Sequence, residues 1–236
     1  MATALAASDM SASAPSCYSR LTNEWVCPAY WQDRSSEILS ATSEHLQITV
    51  VAVLVGFFTA FPLALLARQL PKLEAAILGL STGLYTIPSL ALFPLLVPFT
   101  GLSVLTVVIG LASYALTILV RSVLEGLHAV PAEVVESARG LGYGAGRLLL
   151  RIELPLALPV IFGGLRVATV STVALTTVGT LVSYGGLGNL IKDGVDNNFK
   201  AELFTAAVLC VALAVVLDLL LVLGELVVTP WTRVGT

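Results

Sequence analysis

The chain has 236 residues, with 12 Lys and Arg against 15 Asp and Glu for a net charge of −3. Hydrophobic residues make up 57% and charged ones 11%, and the mean hydropathy is +0.94, which excludes a soluble domain with a polar surface and leaves an integral membrane protein. So few cations also give no basic footprint for nucleic acid.

Residues 1–16, rich in Ala and Ser, read as a disordered tail, and with no Lys or Arg before Arg20 and no apolar core behind the start they are not a signal peptide. Cys17 and Cys27 follow; in an oxidising compartment they can form a disulfide, or they can remain two free thiols. From about Ser35, Glu37, Ile38, Leu39 and Leu46 suggest a helix along the outer interface that leads into the first span, with Trp25, Tyr30 and Trp31 at the same level.

Leu46 to Ala67 carries no charge and at ~1.5 Å per residue is long enough for a ~30 Å hydrocarbon core. Ala75 to Val120, also uncharged, is too long for one crossing and must double back, most simply at Pro98-Phe99-Thr100-Gly101, giving spans two and three. Leu156 to about Val182 and Leu203 to about Val227 supply two more, interrupted only by Arg166 and Asp218. The expectation is an all-α integral membrane protein of about five transmembrane helices. Cys210 falls in the last span as a packing residue.

Between spans three and four the pattern changes. Pro131 suits a first helical turn, Glu133 sits where the helix dipole favours negative charge, and Val134, Val135, Ala138 and Leu141 oppose Glu133, Glu136 and Arg139. A short amphipathic helix follows, capped by positive-φ glycine at Gly140 or Gly142, with Gly144 and Gly146 extending the turn before a second helical run, Arg147 to Leu154, ended by Pro155. Such a helix fits a groove on a partner protein, or lies on lipid headgroups.

The basic residues orient the chain. Arg68, Lys72, Arg121, Arg139, Arg147, Arg151 and Arg233 fall on one side, while Arg20, Arg34, Lys192 and Lys200 fall on the other. The glycine-rich loop is then cytoplasmic and the N-terminus outside. The chain divides into an extracytoplasmic, partly disordered tail over 1–36, a transmembrane domain over 37–230 and a cytoplasmic tail over 231–236. Gly-Lys never occurs, so there is no phosphate loop and no ATP hydrolysis by this chain. Neither H-E-x-x-H nor G-x-S-x-G occurs, so catalytic and metal-ligating residues are expected to be none; His45 and His128 are placed outside the spans, at interfacial or loop positions.

Glu136-Ser137-Ala138, three residues, Gly142, nine residues, then Ile152-Glu153-Leu154-Pro155 resembles the EAA loop of permease subunits of bacterial ATP-binding-cassette importers, whose form reads E-A-A, three, G, nine, I-x-L-P. Only the middle Ala differs, replaced by the equally small Ser137. The resemblance implies the type I importer permease fold, with the loop docking into ABC ATPase subunits that use the ATP and Mg, no cofactor bound by this chain, a second permease subunit, identical or paralogous, and an extracytoplasmic substrate-binding protein. Thr86-Ile87-Pro88-Ser89-Leu90-Ala91-Leu92, Leu154-Pro155-Leu156-Ala157-Leu158-Pro159 and Gly185-Gly186-Leu187-Gly188 together resemble the osmoprotectant branch, whose solutes are glycine betaine, choline, carnitine and related quaternary ammonium compounds. Methionine and amino-acid permeases share the loop and the G-G-L-G, so another amino acid is the alternative. A secondary transporter would need repeat symmetry and a charged coupling site, which are not visible.

Pro88, Pro94, Gly79, Gly83, Gly163 and Gly164 loosen helix geometry, which at membrane depth is tolerated against protein or a watery path. Candidates for that path are Tyr85, Thr86, Ser89, Ser113, Tyr114, Thr172 and Thr176, the Ser and Thr also being suited to helix-to-helix hydrogen bonds. Gly185, Gly186 and Gly188 form the outer loop, as a tight path, a place of close approach or an ordinary turn. Arg166 and Asp218 lie at matching depths inside the cytoplasmic face, so an ion pair is expected, with snorkelling of Arg166 to the headgroups as the other solution.

Overall fold

The computed structural model describes residues 16–231. The predicted tail over 1–15 and Arg233 lie outside the described residues. The helices are α1 (Pro28–Asp33), α2 (Ser35–Ala67), α3 (Pro71–Thr86), α4 (Ser89–Thr100), α5 (Val104–His128), α6 (Ala132–Gly140), α7 (Ala145–Leu148), α8 (Leu154–Thr176), α9 (Leu187–Asp196) and α10 (Lys200–Val228). A π-turn over Leu149–Glu153 joins α7 to α8, and a 3-10 turn over Thr177–Val182 follows α8.

Among the described residues four helical runs are long and apolar enough to cross a membrane, and a bent pair makes a fifth crossing if its halves count as one. That pair is α3 and α4, bent by 100°. Pro88 forces the preceding residue out of the helical region, and Ile87 has ψ 125°. The second span is therefore a broken helix, not the straight crossing the uncharged run suggested. The chain reverses after Thr100, where Gly101 has φ +71°.

Helix α5 is the central element, packed between α2 and α8. Its buried residues Val107, Leu111, Ala115, Leu119 and Val123 recur every fourth position. Against them α2 presents Ala52, Gly56, Ala60 and Ala64, a stripe of small residues at the same spacing that lets two backbones approach closely. A Cβ at Gly56 would lie 3.1 Å from the Ala115 Cβ, and one at Gly126 would lie 3.0 Å from the Ala157 carbonyl oxygen on α8. By contrast α10 leaves Val211, Val215, Leu219 and Leu223 exposed, an apolar face suited to lipid or another chain.

Several local expectations need correction. Helix α2 is one unbroken run of 33 residues, with no separate interfacial helix before the span. His45 lies inside this helical run and is fully buried, not in a loop: its Nε2–H donates to the Val173 carbonyl at 3.0 Å. His128 does end a helix, half-exposed, 3.9 Å from Glu74. Residues 16–34 are folded, with Cys17 and Cys27 bonded (Cα–Cα 5.7 Å) and Tyr30 buried against Phe199 and Ala201. The predicted loop before the last span contains α9, whose Leu187, Leu190 and Gly194 share a buried face at helical spacing. Cys210 is half-buried beside the Leu187, Leu190 and Ala206 cluster, as a packing residue would be.

Candidate functional site

The segment linking α5 to α8 stands at one end of the bundle. Pro131 precedes the first turn of α6, and Glu133 lies within that turn. Of the residues on α6 only Ala138 is buried; Glu136, Ser137 and Arg139 are exposed, Val134 is 39% exposed, and the following Leu141 is 80% exposed. A short helix thus offers two bare aliphatic side chains beside charged ones. Its end is closed by Tyr143 N–H donating to Ala138 O at 3.2 Å and Gly142 N–H to Arg139 O at 2.9 Å. Gly142 has φ +84°, so a side chain there would be strained although nothing lies within 4 Å of its Cβ position.

The second half of the motif departs from expectation. Pro155 does not end the helix: the chain continues from Ala145 to Val182, and the π-turn over Leu149–Glu153 makes this possible. Leu154 N–H reaches back five residues to the Leu149 carbonyl, and the wider turn gives room for the proline ring, which lacks an N–H and would collide with a carbonyl in a regular helix. Ile152, Leu154 and Pro155 are half-buried. Glu153, the variable position of I-x-L-P, is buried, and Arg68 at the end of α2 grips it with two hydrogen bonds of 2.7 and 2.9 Å. Sequence reasoning passed over this pair, since Arg68 counted only as a topological charge; a lone carboxylate in an otherwise apolar helical run was the available signal.

The polar residues proposed for a path divide. Tyr85 and Tyr114 meet edge to face at 5.6 Å, and the Tyr114 hydroxyl donates to the Ile87 carbonyl at the helix break. Tyr85 lines an open cavity of about 510 Å³ on the face shared by α3, α5 and α8, together with Thr82, Thr117, Arg121 and Glu125. Thr86 and Ser113 donate to carbonyls of their own helices at 2.7 and 2.8 Å, and Ser89 is half-buried. Thr172 and Thr176 are buried against α2, where the Thr176 hydroxyl lies 3.2 Å from that of Thr49.

At the other end of the bundle, the glycines leading into α9 are required by the chain's own packing. Gly186 has φ +53°, and a Cβ there would stand 2.7 Å from backbone atoms of His45, while Gly185 and Gly188 press equally closely on Thr180 and Thr177. Within the spans, Arg166 Nε and Nη2 donate to the two Asp218 oxygens at 2.8 and 2.9 Å, a two-point ion pair joining α8 to α10.

This arrangement has known counterparts. The family described as "Binding-protein-dependent transport system inner membrane component" matches residues 52–234. The osmoprotectant import permease protein OsmW of Salmonella typhimurium is 34% identical over 206 residues, covering 85% of this chain and 96% of that one. The choline transport system permease protein OpuBB of Bacillus subtilis is 30% identical over 201 residues, covering 85% and 93%. Among solved structures, the inward-facing MetNI methionine ABC transporter aligns with a TM-score of 0.75 at 21% identity, over 84% of this chain and 99% of that one, a likeness of fold. The chain is a multi-pass membrane protein of the binding-protein-dependent transport system inner membrane component family, a permease subunit with the type I ABC importer fold whose relatives include osmoprotectant permeases.

Proposed function

We propose that this chain is the permease subunit of an ATP-driven importer for compatible solutes of the quaternary ammonium kind, such as glycine betaine, choline or carnitine, in the cytoplasmic membrane of a prokaryote. The observation that carries the coupling part is the exposed α6 with its turn at Gly142, bare at Val134 and Leu141 and charged at Glu136 and Arg139. A short amphipathic helix held away from the bundle is a shape that enters a groove on another protein. The occupant of that role is the partner ATPase, which supplies ATP and Mg. Its closing and opening move α6, and the movement passes into α8 through the continuous helix from Ala145 and into α2 through Arg68 and Glu153.

The seven basic residues on the α6 side, against four on the other, support a cytoplasmic loop and an outside N-terminus. The disulfide between Cys17 and Cys27 agrees with that side being oxidising. Two permease subunits, surrounded by lipid, would enclose the path, with the Tyr85 cavity turned towards the second subunit, and an extracytoplasmic binding protein would deliver solute at the α9 end. The substrate class is supported by the relatives' names.

The test is uptake. The permease is copurified with its ATPase, reconstituted into proteoliposomes with its binding protein, and offered labelled glycine betaine, choline, carnitine and methionine. ATP-dependent accumulation of a quaternary ammonium solute is expected; accumulation of methionine alone overturns the substrate, and failure of any ATPase to copurify overturns the coupling.

A further inference from the structure

The outer end of the molecule carries a polar cavity that the transport reading leaves unused. Residues 16–34, closed on themselves by the disulfide, fold back over the turn between α9 and α10 and are held there by hydrogen bonds. Asn23 Nδ2 donates to Asn198 O at 2.7 Å, the Lys200 N–H donates to Asn23 Oδ1 at 3.0 Å, and Trp31 Nε1 donates to the Thr205 hydroxyl at 2.8 Å. Between this strap and the start of α10 lies a cavity of about 790 Å³, the size range of small-molecule sites. Tyr18 and Phe199 line it with ring centroids 6.2 Å apart, and Tyr30 backs Phe199 edge to face at 5.3 Å. Its other walls are acidic, with Glu202, Asp193, Asp196 and Glu37 outnumbering Arg20 and Arg34.

Glu202 decides the ligand. It is only 9% exposed, yet it lines the cavity, and among the described residues its carboxylate accepts no hydrogen bond. The neighbouring acids are already engaged: Glu37 with Arg34 at 2.8 Å, Asp196 with Lys192 at 2.6 Å, and Asp33 with the Tyr18 hydroxyl at 2.6 Å. The charges that reach Glu202 are Glu37 and Asp193, which repel it, and Arg34, which Glu37 already holds. Held at the cavity wall beside the like charges of Glu37 and Asp193, the Glu202 carboxylate gains from a cation that enters the adjoining space. Among the described residues no group of three or more His, Cys, Asp or Glu is placed to hold a metal ion. Aromatic faces beside a single carboxylate suit a large, weakly hydrated cation.

We infer that this cavity binds a quaternary ammonium ion of choline size, with Glu202 as counter-charge, Asp193 assisting, and Tyr18 and Phe199 against the methyl groups. The inference rests on the reading above only for the side of the membrane that the cavity faces, where solute would wait before crossing. The strap precedes residue 52, where the family match begins, whereas Asp193, Phe199 and Glu202 fall within that match.

The full chain in lipid nanodiscs, without ATPase or binding protein, is titrated with choline chloride by calorimetry at constant ionic strength. Saturable binding is expected, weakened ~10-fold by Glu202→Gln, since each ~1.4 kcal/mol is a factor of ten. Asp193→Asn, at an exposed position, weakens it less and decides the matter alone if Glu202→Gln does not fold. Absence of saturable binding, equal displacement by sodium, or unchanged affinity in both folded variants overturns the site. The two readings fail separately: choline binding here with uptake of another solute class overturns the transport substrate and leaves the site, whereas betaine uptake without choline binding overturns the site alone.

Discussion

At the scale of single residues, the two-point contact of Arg166 with Asp218 explains how two charges are kept within apolar spans. Each is partly exposed on the surface of this subunit, at 36% and 28% for the side chains, so each would face lipid or a second subunit if the other were lost. Replacing either one alone, as Arg166→Leu or Asp218→Leu, leaves an uncompensated charge at membrane depth. Each single variant should lower the yield of folded protein several-fold, measured by fluorescence-detected size exclusion, and the double variant should recover much of it. Strictly additive losses would mean the charges act independently. The depth argument that pairs them needs only the positions of two charges along two spans, which is why the pair was legible in the sequence. His45 was not, because one residue before an uncharged run reads as a boundary, whereas the helix starts ten residues earlier and buries the imidazole against Val173 and Gly186.

At the scale of elements, the span count and the glycine turn could be read from charge-free length and punctuation, while helix continuity could not. Pro155 reads as a stop, yet the five-residue reach from Leu154 to Leu149 carries the helix past it; Pro88 reads as a loosening, yet it turns the chain through 100°. The difference lies in whether neighbouring turns can widen to take the ring, which tertiary packing decides. The α6 turn depends on Gly142 alone, because Gly140 lies inside the helix without positive φ. Gly142→Val forces a branched residue into the left-handed region at ~1 to 2 kcal/mol, while the open space around it removes any steric cause for misfolding. Gly142→Val and Glu136→Lys should therefore insert and fold near normally but lose most ATP-driven uptake. The check is uptake per mole of permease against bound ATPase; full uptake by both variants, with ATPase bound, removes α6 from the coupling role.

At the scale of the whole molecule, α2 and the continuous run from Ala145 to Val182 are pinned together at both ends. His45 holds Val173 near one end, and Arg68 holds Glu153 beside α7 at the other. Between these points α5 fills the gap with its every-fourth-residue ridge, so the three long helices pack as one unit. A displacement of α6 would then have a packed route to the Gly185–Gly188 loop, where Gly186 is wedged against His45. If that path is used, the Arg68 and Glu153 pair, with Glu153 buried and Arg68 partly so, is the link most exposed to failure, since taking away one partner of a buried pair costs up to ~3 to 5 kcal/mol. Arg68→Gln and Glu153→Gln should each lower thermal stability by several degrees and reduce uptake more than ATP hydrolysis. Reversing the pair, with Arg68→Glu and Glu153→Arg together, should restore a good part of both, because the contact is side chain to side chain and uses no backbone group. Recovery of stability without recovery of uptake would leave the pair as a structural clamp and move the coupling route elsewhere in the bundle.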